Sequence, residues 1–270
     1  MNRPELFYAC VALSCTLIAI MPVIWMASMT IKPEDEMFAR PTVWLFTPTL
    51  DHFRYIMEAG FVWNLMASMV VATVSTALVV AIGTPAAYAF SRFDMRGRED
   101  MFLFILATRM APPVALVIPF YLIYAKAGLI DTYSGLIIAY LTFNLSFYVW
   151  VLRGFCRDVP VDLEESAIVE GYNRLQVLLK ITVPILRPGI ISTAVLSFIF
   201  AWNEFLYAFM LGGRIVKTLP VAIPTLITAQ GVKWGELSIV GTFALLPVLF
   251  VVFGLQRYIV RGLTLGAVKG

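Results

Sequence analysis

Charged residues are scarce in this chain of 270 residues. Only 14% of the residues are Asp, Glu, Lys or Arg, whereas 60% are hydrophobic, and the mean hydropathy is +0.86. A soluble domain typically has about a quarter of its residues charged. Because a soluble domain of this size cannot hide so much apolar surface, the composition predicts an integral membrane protein surrounded by lipid.

Histidine and cysteine are also rare. The single histidine is His52; Cys10 and Cys15 lie in one apolar run and Cys156 lies far from both. A zinc site takes about four ligands, mostly His and Cys, so we expect no metal site on this chain, and no disulfide. The formal net charge of +3 is too small to favour a nucleic-acid partner.

The sequence also lacks a phosphate-binding loop. ATPases of the common kind carry the spacing GxxxxGK[ST]. The nearest match, residues 212–218 (GGRIVKT), has Val216 where the second glycine is required. We therefore expect a chain with no catalytic residues of its own, which neither hydrolyses ATP nor binds a cofactor.

Six apolar stretches approach or exceed the 20 or so residues that a membrane-spanning helix needs. The first is too long for the core of a cleaved signal peptide, and we interpret it as a retained span. No internal repeat or separate soluble domain is evident, so we expect a single transmembrane domain over residues 1–270. The stretches cover roughly residues 6–30, 65–90, 101–125, 133–152, 189–211 and 238–259.

Lysine and arginine are distributed unevenly between the connecting segments. With the N-terminus inside the cell, 12 Lys and Arg lie on the cytoplasmic side and 7 on the outer side, and Arg109 falls within the third stretch. Cytoplasmic loops carry the excess of Lys and Arg, so both termini are predicted to be cytoplasmic. Residues 153–188 then form the largest cytoplasmic segment, called the inner loop below, and residues 32–61 form an outer loop.

The inner loop contains the start and stop signals of a short helix. Asp162 and Glu165 have the spacing of a capping box, which predicts a helix N-terminus at Asp162. Glu164 and Glu165 lie in the first turn, where the helix dipole favours negative charge. Gly171 can adopt the left-handed conformation that commonly ends a helix.

A second helix is predicted directly after this glycine. Asn173 is a candidate N-cap with Gln176 three residues later, and Pro184 and Pro188 are expected to stop the helix before the fifth span. Helices this short have little stability on their own, so we expect them to dock on a partner. An ordinary solvated loop that happens to be helical is the alternative.

A longer pattern runs through the same loop. Residues 165–167 (Glu-Ser-Ala), three residues, Gly171, nine residues and residues 181–184 (Ile-Thr-Val-Pro) resemble the EAA loop of ABC-importer permeases. The family pattern has Glu-Ala-Ala and Ile-x-Leu-Pro at these places, so the chain departs from it at Ser166 and Val183. Residues 198–211, 217–223 and 255–270 also resemble the second permease subunit of carbohydrate importers of the maltose/glycerol-phosphate type.

This resemblance implies an all-α integral membrane protein with six transmembrane helices, the type I ABC-importer permease fold, and a cytoplasmic coupling helix. The implied partners are a second homologous permease, two ATPase subunits that bind ATP and Mg, an extracytoplasmic solute-binding protein and membrane lipid, in a bacterial or archaeal cytoplasmic membrane. The tail at residues 264–270 is expected to reach the ATPase. The residues implied for coupling are Asp162, Glu164, Glu165, Ser166, Ala167 and Gly171.

Polar and aromatic residues of the fourth and fifth spans are candidates for the solute pathway, since aromatic faces and amides commonly hold sugars. A carboxylate at membrane depth is costly, so Glu204 is expected to face the pathway or to hydrogen-bond a neighbouring helix. In the third span, Pro112, Pro113 and Pro119 follow Arg109 and are expected to break or kink the helix. The pathway candidates are Asn144, Tyr148, Trp202, Asn203 and Glu204.

Two other functions stay open from the sequence. The same architecture can serve another solute, such as an amino acid or phosphate. A secondary transporter or channel without an ATPase is the third possibility, although such transporters usually carry more intramembrane ionisable residues than Arg109 and Glu204. Co-purification of an ATPase and a second permease with this chain would separate the importer from the secondary transporter.

Overall fold

The computed structural model describes residues 3–265, and it describes side chains for residues 7–258. Within residues 3–265 a two-stranded hairpin, β1 (Ile227–Thr228) paired with β2 (Gly231–Val232), is the only sheet. The prediction for the tail at 264–270 lies almost entirely outside the described residues. The α-helices are α1 Arg3–Met29, α2 Glu34–Met37, α3 Asp51–Glu58, α4 Phe61–Arg92, α5 Arg98–Met110, α6 Pro113–Lys126, α7 Tyr133–Asp158, α8 Val161–Val169, α9 Arg174–Val177, α10 Val183–Trp202, α11 Leu206–Leu211, α12 Leu219–Ala222 and α13 Trp234–Leu265.

The predicted all-α membrane architecture is confirmed. Across residues 3–265, five continuous helical segments are long and apolar enough to span a bilayer, and α5 with α6 make a sixth candidate that is bent by 96°. The bend lies at Ala111 and Pro112, where the sequence predicts a broken helix, because two consecutive prolines remove backbone donors and clash with the preceding turn. Pro119 does not break the helix, since α6 continues past it to Lys126.

The fifth span differs from its prediction at both ends. It begins at Arg174 rather than near residue 189, because α9 continues through a π turn (Leu178–Thr182) into α10. Neither Pro184 nor Pro188 therefore stops the helix. The hydrogen-bond register changes at the π turn, and Pro184 lies in the first turn of α10, where its missing N–H is tolerated. Pro188 lies inside α10, which continues past it to Trp202. The span ends at Trp202, and residues 206–211 form the separate helix α11.

The chain forms two compact units. The larger comprises Met66–Val221 and Val248–Gly270, and its core surrounds α7. Tyr148, Leu152 and Cys156 are fully buried there. Gly83 of α4 allows the close approach of Tyr148, since a Cβ at Gly83 would lie 2.5 Å from the tyrosine ring.

The smaller unit comprises Met1–Leu65 and Ala222–Pro247. Its centre is His52 of α3, which is 6% exposed. The His52 ring lies 3.6 Å from the Glu236 carboxylate and 3.1 Å from the Lys32 carbonyl oxygen. The lone histidine thus has a packing role in joining α3 to the start of α13.

Candidate functional site

The inner loop forms a helix, a glycine turn and a second helix, as predicted. α8 covers Val161–Val169, and Gly171 follows it with φ +96°. This left-handed conformation is readily adopted by glycine and resisted by β-branched residues. The turn directs the chain back into α9 and the fifth span.

The predicted capping box at Asp162 and Glu165 is wrong. α8 begins at Val161 after Pro160, and no side chain caps its N-terminus. Pro160 occupies the N-cap position with φ −58° and ψ 130°, and its side chain has no oxygen that could cap the helix. Asp162 lies inside that turn, and its carbonyl oxygen accepts a hydrogen bond from the Ser166 hydroxyl at 2.8 Å.

The capping box is found at the start of the second helix instead. The Asn173 side chain accepts a hydrogen bond from the Gln176 backbone N–H at 2.9 Å, and the Gln176 side chain accepts one from the Asn173 N–H at 2.9 Å. Both residues were predicted at these positions. The reciprocal bonds satisfy two otherwise unpaired donors at the helix N-terminus.

α8 has two chemically different faces. Asp162, Glu165 and Ser166 are exposed, whereas Glu164 and Ala167 are 1% and 5% exposed and point into this chain. Positions three apart lie on the same side of a helix, so Glu164 and Ala167 form the inner face. The predicted coupling residues are therefore divided between a surface available to a partner and an internal contact.

Glu164 is the centre of a buried polar junction. One carboxylate oxygen accepts hydrogen bonds from Arg92 Nε at 3.1 Å and from the Tyr88 hydroxyl at 3.2 Å; the other accepts one from the Thr182 hydroxyl at 3.0 Å. Arg92 also donates to the Val159 carbonyl oxygen at 2.6 Å. Glu164 thus ties α8 to the end of α4 and to the π turn of the fifth span, and sequence spacing alone does not reveal these partners.

A second junction lies at the same ends of α4 and α7. Arg153 is 4% exposed, donates to the Phe90 carbonyl oxygen at 3.2 Å and forms an ion pair with Glu99. Its guanidinium also lies 3.9 Å from the centre of the Phe102 ring. The junction joins α4, α5 and α7 next to the inner loop, and sequence analysis did not single out any of its members.

Three of the five pathway candidates are buried inside this chain. Asn144 is fully buried and donates to the Ser197 carbonyl oxygen at 3.2 Å. The Tyr148 hydroxyl lies 2.9 Å from the Thr84 hydroxyl, and Trp202 is 4% exposed and stacks on Phe198. In this structure these side chains pack helices together and have no surface that a solute can touch.

The other two candidates lie where the fifth span ends. Asn203 is exposed, and its side-chain amide donates to the Ile199 carbonyl oxygen at 2.8 Å. The Glu204 carboxylate accepts the Tyr207 backbone N–H at 2.8 Å, so it satisfies a donor in the first turn of α11. Glu204 therefore lies in a helix break and not within a continuous span.

A cavity lies beside the break between α5 and α6, and Tyr207 of α11 also lines it. Its volume is about 420 Å³, and Arg109, Phe120, Phe143 and Tyr207 contribute to its walls. Phe143 and Tyr207 stack at a ring distance of 5.8 Å. Arg109 and the helix break are evident from the sequence, whereas their proximity to aromatic residues of α6, α7 and α11 depends on tertiary packing.

The loop at residues 212–218, which partly matches the phosphate-binding spacing, binds a carboxylate of this chain. Asp131, at φ +56°, accepts the backbone N–H groups of Arg214, Ile215 and Val216 at 2.8–3.0 Å. Burial alone would raise the pKa of Asp131, but the backbone N–H donors around its carboxylate outweigh that effect and lower it. The loop is thus a structural clasp for the turn between α6 and α7.

Residues 79–265 match the family described as the binding-protein-dependent transport system inner membrane component. The matched region includes α8, its glycine turn and both helix breaks. The chain belongs to this family. It is a multi-pass permease subunit of a binding-protein-dependent importer.

Known relatives of the permease extend over nearly its whole length. It is 33% identical over 256 residues to the diacetylchitobiose uptake system permease protein DasC of Streptomyces coelicolor, covering 93% of this chain and 92% of that protein. It is 34% identical over 256 residues to the trehalose transport system permease protein SugB of Mycobacterium tuberculosis, covering 93% of each chain.

A solved structure confirms the fold. It is a crystal structure of a bacterial ABC transporter involved in the import of the acidic polysaccharide alginate. The TM-score is 0.77 at 22% identity, and the match covers 96% of the permease and 98% of the other chain. The predicted importer-permease fold is therefore confirmed.

Proposed function

We propose that the permease forms half of the translocation pathway for a sugar or polyol and couples it to a cytoplasmic ATPase. The solute class is supported by relatives whose names specify diacetylchitobiose and trehalose and which align over 93% of the chain. The proposed complex contains a second permease, two ATPase subunits that bind ATP and Mg, and an extracytoplasmic solute-binding protein. This chain supplies no catalytic group for ATP hydrolysis.

The division of α8 into two faces is the observation that carries the coupling role. The exposed side of α8, with Asp162, Glu165, Ser166 and the exposed Leu163, would contact the ATPase. The inner face is held to this chain through Glu164. A displacement of α8 by the ATPase would therefore be transmitted to α4 and to the fifth span through the contacts of Glu164. Gly171 would set the angle between α8 and α9.

We also propose that both termini and the inner loop are cytoplasmic. Arg92, Arg153, Arg157 and Arg174 lie at the ends of α4 and α7 and at the start of α9, next to α8. Clusters of arginine beside membrane helices are typical of the cytoplasmic side. Asn203 and Glu204 remain our pathway candidates because they lie at a helix break and not within a packed helix.

Reconstitution of the whole importer tests the coupling role. Glu165→Lys reverses a charge on the exposed face of α8, so we expect uptake and binding-protein-stimulated ATPase activity to fall together while the complex still assembles. Glu58→Lys makes the same change at an exposed glutamate of α3 and serves as the matched control. Wild-type uptake and wild-type stimulated ATPase activity of Glu165→Lys would remove α8 from the coupling mechanism.

A further inference from the structure

The bend between α5 and α6 is irregular backbone within an apolar span. α5 ends at Met110, α6 begins at Pro113, and Ala111 between them is extended at φ −62°, ψ 128°. Non-helical backbone at membrane depth is tolerated only where it is buried in protein or lines a water-filled cavity. The bend is therefore expected to face protein or water and not lipid.

Arg109, one residue before the end of α5, leads to the same conclusion independently. Its guanidinium is exposed, donates to the Phe143 carbonyl oxygen at 3.4 Å, and lies 4.8 Å and 5.1 Å from the Phe147 and Phe200 rings. None of the ion pairs found among residues 7–258 includes Arg109. A guanidinium has five N–H donors, a charge facing lipid is costly, and Arg109 lines the cavity. We therefore expect the remaining donors to serve a group in the cavity.

The cavity also has aromatic side chains in its walls. The Phe143 and Tyr207 rings are nearly parallel, with 12° between their planes, and Phe120 lies 5.7 Å from Tyr207. Thr108 and Thr142 add hydroxyl groups to the lining. The volume of about 420 Å³ falls in the range of roughly 300–1,000 Å³ that is usual for small-molecule sites.

We propose that this cavity is a saccharide subsite of the translocation pathway. A pyranose ring presents an apolar C–H face and an edge of hydroxyl groups. The C–H face would lie against Phe143 and Tyr207, and Arg109 would donate to the hydroxyl edge. An inorganic anion would use the guanidinium but not the aromatic wall, so the combination favours a sugar. The inference rests on the proposed function and assigns the contact to residues outside the five pathway candidates.

Transport by the reconstituted importer tests the subsite. The probes are a radiolabelled panel of neutral sugars and polyols that includes trehalose, maltose and sorbitol, with methionine and inorganic phosphate as non-sugar probes. Because the binding protein captures the solute first, we expect Phe143→Ala and Arg109→Gln to lower the maximal uptake rate about tenfold while KM changes less than twofold. Arg109→Lys keeps a charged donor and should recover most of the rate.

Leu122→Ala provides the matched control, since Leu122 is an exposed residue of α6 outside the cavity lining. Should either variant assemble poorly, Phe143→Leu, which keeps an apolar side chain but removes the ring face, decides the question by the same rate measurement. Wild-type uptake of a sugar with unchanged rates in the cavity variants would overturn the subsite alone. If the variants lose transport rate only because the second permease no longer assembles with them, Arg109 contacts that subunit, and this result would also overturn the subsite. Uptake of no sugar by the wild type would refute the proposed function and the subsite together.

Discussion

Two adjacent glutamates of α8 have different surroundings. Glu164 is 1% exposed and bonded to Arg92, Tyr88 and Thr182, whereas Glu165 is exposed. Removing one partner of a buried ion pair leaves an uncompensated charge, whereas replacing both partners by apolar residues is often nearly neutral. Comparing single and double substitutions of the Glu164–Arg92 ion pair therefore separates the contribution of Glu164 to folding from its contribution to coupling.

We expect Glu164→Ala to lower the free energy of unfolding by about 3–5 kcal/mol because it strands Arg92, whose side chain is 8% exposed. The double variant Glu164→Leu/Arg92→Met should recover most of this stability without recovering binding-protein-stimulated ATPase activity. Thermal denaturation of the purified complex and the ATPase assay check the two parts. Glu165→Ala, with unchanged stability, is the control, and full activity of the double variant would contradict a role in transmission.

Asp131 provides a pH-dependent prediction at the same scale. Its pKa is lowered in the folded chain, so its contribution to stability is present above the ordinary aspartate pKa, near 3.9, and is lost as the pH falls through the lower folded value. We expect the amides of Arg214, Ile215 and Val216 to lose protection from hydrogen exchange in that acidic window, after correction for intrinsic exchange. In Asp131→Asn these amides should be less protected at neutral pH and should show little pH dependence.

At the scale of elements, breaks and turns position the functional groups. The bend between α5 and α6 brings Arg109 into the cavity, and the end of α10 at Trp202 allows α11 to contribute Tyr207 to the same cavity. Gly171 likewise directs the chain from α8 into α9. Each of these features ends a helix at a position that the pattern of apolar residues alone does not specify.

Replacing Gly171 tests the turn after α8. A β-branched residue at φ +96° costs at least the roughly 1–2 kcal/mol of the left-handed conformation, so Gly171→Val should tilt or fray α8 and lower stimulated ATPase activity and uptake severalfold. Gly254→Val is the control, because a Cβ at this helical glycine would meet nothing within 4 Å. Normal coupling in the Gly171 variant would show that the turn angle is not required.

At the scale of the whole molecule, the side of the membrane on which each loop lies follows from charge. From the excess of Lys and Arg we expect the inner loop in the cytoplasm and residues 32–61 on the outer side. Single cysteines at Arg174 and Leu45, both exposed, report the two sides in a background where Cys10, Cys15 and Cys156 are replaced by alanine. In intact cells a membrane-impermeant maleimide should label position 45 and not position 174; the reverse pattern would invert the topology.

Local and periodic features could be predicted from the sequence alone. The apolar runs indicated the spans, Pro112 and Pro113 indicated the broken third span, and Gly171, Asn173 and Gln176 indicated where α8 ends and α9 begins. Each of these features depends on residues within one or two helical turns, through backbone conformation or local hydrogen bonds. Longer motifs in the inner loop were sufficient to identify the permease family, because they fix residue types over 20 positions.

The orientation of individual side chains was decided only by tertiary structure. Glu164 and Glu165 are adjacent residues of the same type, yet only Glu164 is buried, where it binds Arg92, 72 residues away in the chain. Asp131 finds its donors about 85 residues later in the chain, and the packing of α7 against α10 buries Asn144, although its sequence context suggested a pathway residue. Such contacts depend on which helix faces meet, and the local sequence does not specify these faces, because helices packed inside a membrane protein can be apolar on every side.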